Sequence, residues 1–308
     1  MAARSVLASV ILVSLVATRA HAEDDPNDKI LGHTVSRPVD GGIQVAAFGI
    51  GLAAKLIPLR DRDLWTAEIF ETDKGVRDNF SRRAAHISDG LLALSLAAPA
   101  LYLTGPTIDD VDGDRLLIYG QTMAINVALA SITKQLVQRP RPYAYSKDPK
   151  VQAYAKSEGT DAFMSFYSGH AAISFAAATT GAYLLGTSDA SPVAKNIAWG
   201  AGFGIAAMTA SLRVRAGKHF YSDVLVGSLV GMTVGYVVPA LHADDKPYTP
   251  SGGQLAIAGA SILGGMLFSR LIPLEKRSGE DTPSGITGLS FAPTAVEKGM
   301  GIGLVGGW

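Results

Sequence analysis

Apolar residues run through this chain in Ala/Gly/Leu-rich stretches of helical length, at about 42–57, 89–104, 117–138, 170–185, 193–212, 223–241 and 254–272. Little inside them alternates with period two and β-branched enrichment is weak, so the pattern predicts an all-α body, a bundle of helices. What covers that bundle turns on length. Each run is near or below the roughly 20 residues that a 30 Å hydrocarbon layer demands. Gln121 and Asn126 interrupt one run and Lys55 another, while small residues such as Gly200-Ala201-Gly202 allow close helix contact in lipid or in water. The expected architecture is a helical bundle embedded in or associated with a membrane, with a soluble bundle as the alternative.

The two ends differ from this body. Arg4, an apolar run from Val6 to Val16 and Ala20-His21-Ala22 before Glu23-Asp24-Asp25 read as a cleaved secretory leader. Beyond Arg270, Glu275 to Gly285 is a polar linker. Leu289-Ser290-Phe291 and Met300 to Leu304 then alternate around a Val296-Glu297-Lys298-Gly299 turn, which predicts a terminal β-hairpin. One hairpin is too few strands for a barrel, so it is expected to pack on the helices or on a partner. The resulting organisation is a leader at 1–22, a polar lead-in at 23–40, a helical domain at 41–274, and a linker with hairpin at 275–308.

A cleaved leader leaves the start of the mature chain outside the cytoplasm. Helices 170–185 and 193–212 would cross out and back, so the loops at His170 and Arg213 share one side. That side is the periplasm if the 42–57 helix does not span. Lys55 and the short run favour this, and six basic residues between Arg60 and Arg83 argue against it. The expectation is an exported protein of the periplasm or cell-envelope membrane, with its site facing the periplasm.

Composition removes whole classes of chemistry. Lys plus Arg number 27 and Asp plus Glu 27, so no net charge recruits nucleic acid and any anion must be bound locally. Cysteine is absent, which excludes disulfides, thiolate metal sites and cysteine nucleophiles. Asp109 to Asp114 resembles a calcium loop faintly but lacks the Glu that would close it, and reads as an acidic surface turn. His33, His86 and His242 have no partner at metal-ligand spacing and read as ordinary polar residues.

Three segments carry candidate chemistry. Lys134 and Arg141 stand about two helical turns apart, so both cations can face one anion, and Pro140 and Pro142 end the helix there. Ser168-Gly169-His170 directly precedes a strong helix former, which puts unpaired N–H groups, a capping hydroxyl and a glycine where an anion would sit. His219 and Asp223 are four apart, so on a helix the carboxylate would take one ring N–H and leave the other nitrogen as a nucleophile. Arg213 precedes Gly217, a helix breaker that would let it fold back to the same ligand. Arg139 and Arg215 read as supporting or solvated cations. Taken separately, each segment is equally a solvated pair, an ordinary N-cap or a structural His/Asp contact.

Together they resemble, in order and spacing, the signature of the type 2 phosphatidic acid phosphatase and vanadium haloperoxidase superfamily. That pattern is Lys, six residues, Arg-Pro; then Pro-Ser-Gly-His; then Ser-Arg, five residues, His, three residues, Asp. Here it is carried by Lys134 with Arg141-Pro142, by Ser168-Gly169-His170, and by Arg213, His219 and Asp223, within residues 85–242. Tyr167 replaces the usual Pro and Leu212 the usual Ser, which puts loop rigidity in doubt more than chemistry. The resemblance implies a phosphatase for lipid phosphates or other phosphate monoesters. His219 would attack phosphorus and form a phosphohistidine, Asp223 would orient it, and His170 would serve as acid and then base. Lys134, Arg141, Ser168, Gly169 and Arg213 would hold the phosphoryl oxygens. It implies no metal and no cofactor, with vanadate as an inhibitor, or as a cofactor only if the chain is a haloperoxidase instead. A non-catalytic membrane scaffold is the remaining alternative. The expected partners are the phosphate-ester substrate and a membrane, not nucleic acid.

Overall fold

The structure, a computed structural model, describes residues 32–57, 71–77, 79–104, 110–274 and the strands at 287–296 and 299–307. The expected leader, 1–22, lies outside the described residues. The chain divides into two compact units, Met1–Leu274 and Glu275–Trp308. In the second, β1 (Thr287–Val296) pairs antiparallel with β2 (Gly299–Gly307), with Val296 opposite Gly299 at the turn.

The first unit is all-helical where described. Its helices are α1 (Arg37–Ala53), α2 (Arg82–Tyr102), α3 (Asp110–Val137), α4 (Pro149–Glu158), α5 (Gly169–Gly186), α6 (Pro192–Arg215), α7 (Tyr221–Leu241) and α8 (Gly252–Leu271). Short 3₁₀ turns stand at Glu71–Val76, Pro142–Tyr145 and Gly159–Phe163. Seven of the helices are the seven apolar runs of the sequence, most of them extended at the start. The polar first turns of α2 and α3 carry no apolar signal, so the pattern begins late there. Asp112 and Asp114 are therefore not in a surface turn: they are buried in the first turns of α3, where Arg37 Nε meets Asp114 at 2.7 Å. Helix α4 is too polar to be visible by periodicity. Ends are set locally by side-chain caps, with Ser81, Ser168, Ser191 and Ser251 each accepting an amide N–H of its own helix's first turn.

Helix α5 is apolar on every side and accordingly central: its residues from Ala171 to Leu184 are all buried. Helix α7 runs parallel to it at backbone contact. A Cβ on Gly227 would stand 2.5 Å from Ser168 O, one on Gly231 2.1 Å from Ala172 O, and one on Gly235 2.9 Å from Ala176 O. Only glycine at this four-residue interval permits such an approach. Helices α1 and α3 also run side by side in one direction, since Arg37 meets Asp114, Gln44 lies against Gly120 and Gly51 against Ala128. Helix α8 runs alongside α6 in the same way, with Gly200 near Ile257, Gly204 near Ser261 and Ser211 bonded to Ser269 at 2.6 Å.

Among the described residues, six segments are long and apolar enough to cross a membrane: Arg37–Leu56, Arg82–Tyr102, Val111–Tyr145, Pro192–Arg215, Tyr221–Leu241 and Gly252–Leu271. Outward apolar side chains such as Leu56, Leu101, Leu241, Leu263 and Leu271 are exposed, as a lipid-facing surface requires. These are the features of a membrane protein. The start of α1 and the chemistry-bearing loops lie at opposite ends of the bundle, because α1 follows α3 along its length.

Two outcomes follow from this packing. Gly231→Ala should destabilise the bundle by about 2 kcal/mol or more through overpacking against α5, whereas Gly41→Ala, where a Cβ meets nothing within 4 Å, should leave the thermal midpoint in detergent unchanged or raised. Because the chain has no cysteine, single cysteines at exposed Lys156 and Asp245 should label from opposite sides of sealed vesicles with an impermeant maleimide.

Candidate active site

The site assembles where α3 and α6 end and α5 and α7 begin. Helix α3 stops because Gln138 turns to φ 49° and Pro140 follows. Lys134, in its last turn, is aimed at the start of α5, its Nζ 3.6 Å from where a Cβ on Gly169 would stand. Arg141 is buried and held by three carbonyl or carboxylate acceptors. Its Nε donates to Asp161 O at 2.7 Å, Nη2 to Asp161 Oδ1 at 2.8 Å, and Nη1 to Lys218 O at 3.3 Å. The Asp161 side chain is half exposed, and although its partial desolvation would raise its pKa, Arg141, Lys134 and Lys218 more than offset this and hold the carboxyl well below its usual range.

Ser168 caps α5, accepting Ala171 N–H at 3.3 Å, and its own N–H reaches Asp223 O at 3.0 Å across the glycine contact. His170, in the first turn, places Nε2 2.8 Å from Asp89 Oδ1 on α2. Asp89 also accepts from Arg213 Nη1 at 3.2 Å, and Ser88 Oγ lies 3.3 Å from the same nitrogen. Arg213 sits in the last turn of α6, ahead of the break that the sequence expects at Gly217. Gly217 does break the chain after it: its φ is +70° and a Cβ there would collide with Asn79 O at 1.8 Å. Arg213 Nε is buried without a hydrogen-bond partner among the described residues.

The His219-Asp223 spacing predicts one helical turn, and here the structure corrects the sequence. His219 lies in the loop before α7, and its Nδ1 is 2.7 Å from Ser165 O but 3.7 Å from Asp223 Oδ2. A carbonyl only accepts, so Nδ1 carries the hydrogen and Nε2 the lone pair. Asp223 instead accepts Ser165 Oγ–H at 2.5 Å and Phe220 N–H at 2.8 Å through Oδ2, and so supports the histidine through Ser165. His219 Nε2 is buried and has no hydrogen-bond partner among the described residues. Burial, followed by the charges of Arg141, Lys134 and Arg213, pushes the imidazole well below its ordinary 6.5. At neutral pH the ring is a neutral base with its free nitrogen beside three cations.

Three cations, two helix N-termini and a buried neutral imidazole thus meet at one end of the bundle, and groups of this kind can hold a tetrahedral oxyanion. A family model, that of the PAP2 superfamily, matches residues 115–247. This stretch of the chain belongs to the PAP2 superfamily. No solved structure matches the chain. The PAP2 segment contains all eight residues expected from the sequence, and the fold brings them to one end of the bundle. It does not contain Asp73 or Asp89, which reach the site from earlier in the chain.

Sequence reasoning missed Asp73, Asp89, Asp161 and Ser165, since nothing in their local spacing distinguishes them from solvated residues. It also read Arg139 too blandly. Arg139 is fully buried and bridges Asp73 and Asp223, and Arg215 donates to Ser269 O and Ile272 O at the end of α8. No group of three or more His, Asp or Glu suited to a metal occurs among the described residues.

The buried neutral histidine fixes a pH dependence. The unfolded chain takes up a proton at His219 below about 6.5 and the folded chain does not, so stability falls as pH drops through that value. Thermal midpoints between pH 7.5 and 5 should show this slope, and His219→Gln should reduce it, leaving the part due to His170, which burial pushes down to about 4.

Proposed function

We propose that the chain is a phosphatase acting on phosphate monoesters, lipid phosphates among them, through a phosphohistidine on Nε2 of His219. The observation that carries this reading is the state of that ring: neutral, with Nδ1–H engaged by Ser165 O and Nε2 buried and unpaired. PAP2 membership supports a phosphatase or haloperoxidase type of chemistry. The six apolar segments support a membrane setting, where a lipid phosphate reaches the site from the bilayer edge.

In the first step His219 Nε2 bonds to phosphorus and the bond to the alkoxide breaks, with a proton passing to the leaving oxygen from His170. His170 Nε2–H is engaged by Asp89, so Nδ1 delivers that proton from the imidazolium form, which burial disfavours in the empty site and the negative charge of an entering phosphate favours. In the second, His170 takes a proton from water, the hydroxide bonds to phosphorus, and the His219–phosphorus bond breaks to release phosphate. Lys134, Arg141 and Arg213, with Ser168 and the N–H groups opening α5, hold the equatorial oxygens, where charge spreads during phosphoryl transfer. Arg141 and Arg213 are pre-placed by Asp161 and Asp89, so the site pays little to order them when a phosphate enters. Three cations and a helix N-terminus neutralise the phosphoryl group, so this mechanism routes no step through a metal.

Export with a periplasm-facing site belongs to this reading only if α1 does not cross the membrane. Its course along α3 and its membership of the six candidate spans favour crossing.

Purified protein should release phosphate from p-nitrophenyl phosphate and from a phosphatidic acid in excess chelator, and orthovanadate should inhibit it. His219→Ala should abolish this, a loss of ~10³-fold or more in kcat. Phosphate release that survives His219→Ala would overturn the mechanism, and bromide oxidation by peroxide and vanadate without phosphate release would move the chain to the haloperoxidase branch.

A further inference from the structure

One carboxylate and one guanidinium next to the site have no part in the mechanism above, yet both are almost fully buried. Asp73, from the 3₁₀ turn Glu71–Val76 ahead of α2, has no exposed surface. Its Oδ1 accepts Ser222 N–H at 3.1 Å, and its Oδ2 accepts Ser222 Oγ–H at 2.6 Å and Arg139 Nη2 at 3.0 Å. Arg139 Nη1 in turn donates to Ser222 Oγ at 2.7 Å and to Asp223 Oδ1 at 2.6 Å, with its guanidinium carbon 4.0 Å from the centre of the Phe220 ring. Burying three charges is costly unless each is paired and hydrogen-bonded, and here each is. Removal of any partner leaves the others uncompensated.

This network meets the nucleophile at two points. Arg139 O accepts Ser165 N–H at 3.0 Å, and Ser165 O is the acceptor that fixes the His219 ring. Asp223, pinned by Arg139 on one oxygen, uses the other to hold Ser165 Oγ and the Phe220 amide beside His219. The hydrogen bond from the imidazole to Ser165 O thus falls on a residue that Arg139 holds directly at its amide and, through Asp223, at its hydroxyl. The fork matters as well as the charge, because two nitrogens of one planar group reach two carboxylates on separate elements.

Resting on the phosphatase reading, we propose that Asp73 and Arg139 are positioning residues for the His219 nucleophile, with Asp73 tying the segment before α2 to the first turn of α7 and holding Arg139 against Asp223 and Ser165. Neither residue touches the phosphate. Their removal therefore slows the attack of His219 without weakening the hold of Lys134, Arg141 and Arg213 on substrate.

The test uses the full chain in detergent, with Asp73→Asn, Ser222→Ala and Arg139→Lys made singly and turnover of p-nitrophenyl phosphate followed. Asp73→Asn should lower kcat ~10–100-fold with KM within about threefold of wild type. Arg139→Lys, which keeps the charge but not the fork, should do the same. Ser222→Ala deletes one hydroxyl from the network and should lower kcat by roughly 3–10-fold. Radiolabelled substrate separates positioning from damage to the fold. A positioning defect slows the appearance of acid-labile phosphoenzyme and leaves the number of labelled sites per folded molecule unchanged, whereas a merely structural defect lowers that number. Ser222→Ala keeps the question answerable if Asp73→Asn does not fold. Labelling at the wild-type rate in the folded variants would overturn the inference alone, and a wild-type protein that neither hydrolyses the ester nor becomes labelled would overturn the phosphatase reading and the inference with it.

Discussion

The site depends on the backbone contact between α5 and α7. Because Gly227, Gly231 and Gly235 present no side chain to α5, the two helices lie against one another in parallel and begin side by side. Parallel alignment places two helix N-termini, each with unpaired N–H groups and a partial positive charge, at one end of the bundle. One of these starts carries Ser168, Gly169 and His170, and the other carries Asp223, four residues after His219. The hydrogen bond from Ser168 N to Asp223 O, 3.0 Å long, joins the two motifs at that contact. An antiparallel pair would have put them at opposite ends.

Charge at this end is handled by pairing rather than by exposure. Arg141 is held by Asp161, Arg213 by Asp89, and Arg139 by Asp73 and Asp223, so each buried guanidinium has a carboxylate partner. The Arg213 pair also meets His170 through Asp89, and the Arg139 pairs lie beside Ser165 and Ser222 behind the histidine. A single carboxylate holds Arg141 and Arg213 in place, whereas carboxylates on both sides of Arg139 make it a strut. Burial, and after it the charges of Arg141, Lys134 and Arg213, keeps His219 neutral, so the histidine and these cations are one electrostatic unit.

The membrane and the site make opposite demands on the chain. Lipid asks for apolar outward faces, supplied by residues such as Leu263 and Leu271 on α8, and phosphate asks for buried cations. The bundle separates the two along the helix axes, since Lys134 and Arg213 both fall in last turns. The charged residues then sit where α3 and α6 leave the apolar layer, and the central α5 needs no lipid-facing side at all.

By itself the sequence determined the seven apolar helices and the eight signature residues, but not the polar α4. Helix-length apolar runs have a single local cause, burial of their faces, and the spacing of a binding motif within one segment is fixed by the chain. It also determined that two prolines end α3 and that Ser168 caps α5, both of which act within a few residues. Tertiary structure alone decided which carboxylates complete the site. Asp73, Asp89 and Asp161 reach it from separate segments, so no spacing announces them. It decided, too, that His219 rests on Ser165 rather than on Asp223. A four-residue interval implies one helical turn only where the chain is helical, and Gly217, forced to positive φ by its contact with Asn79, delays the start of α7 until after the histidine.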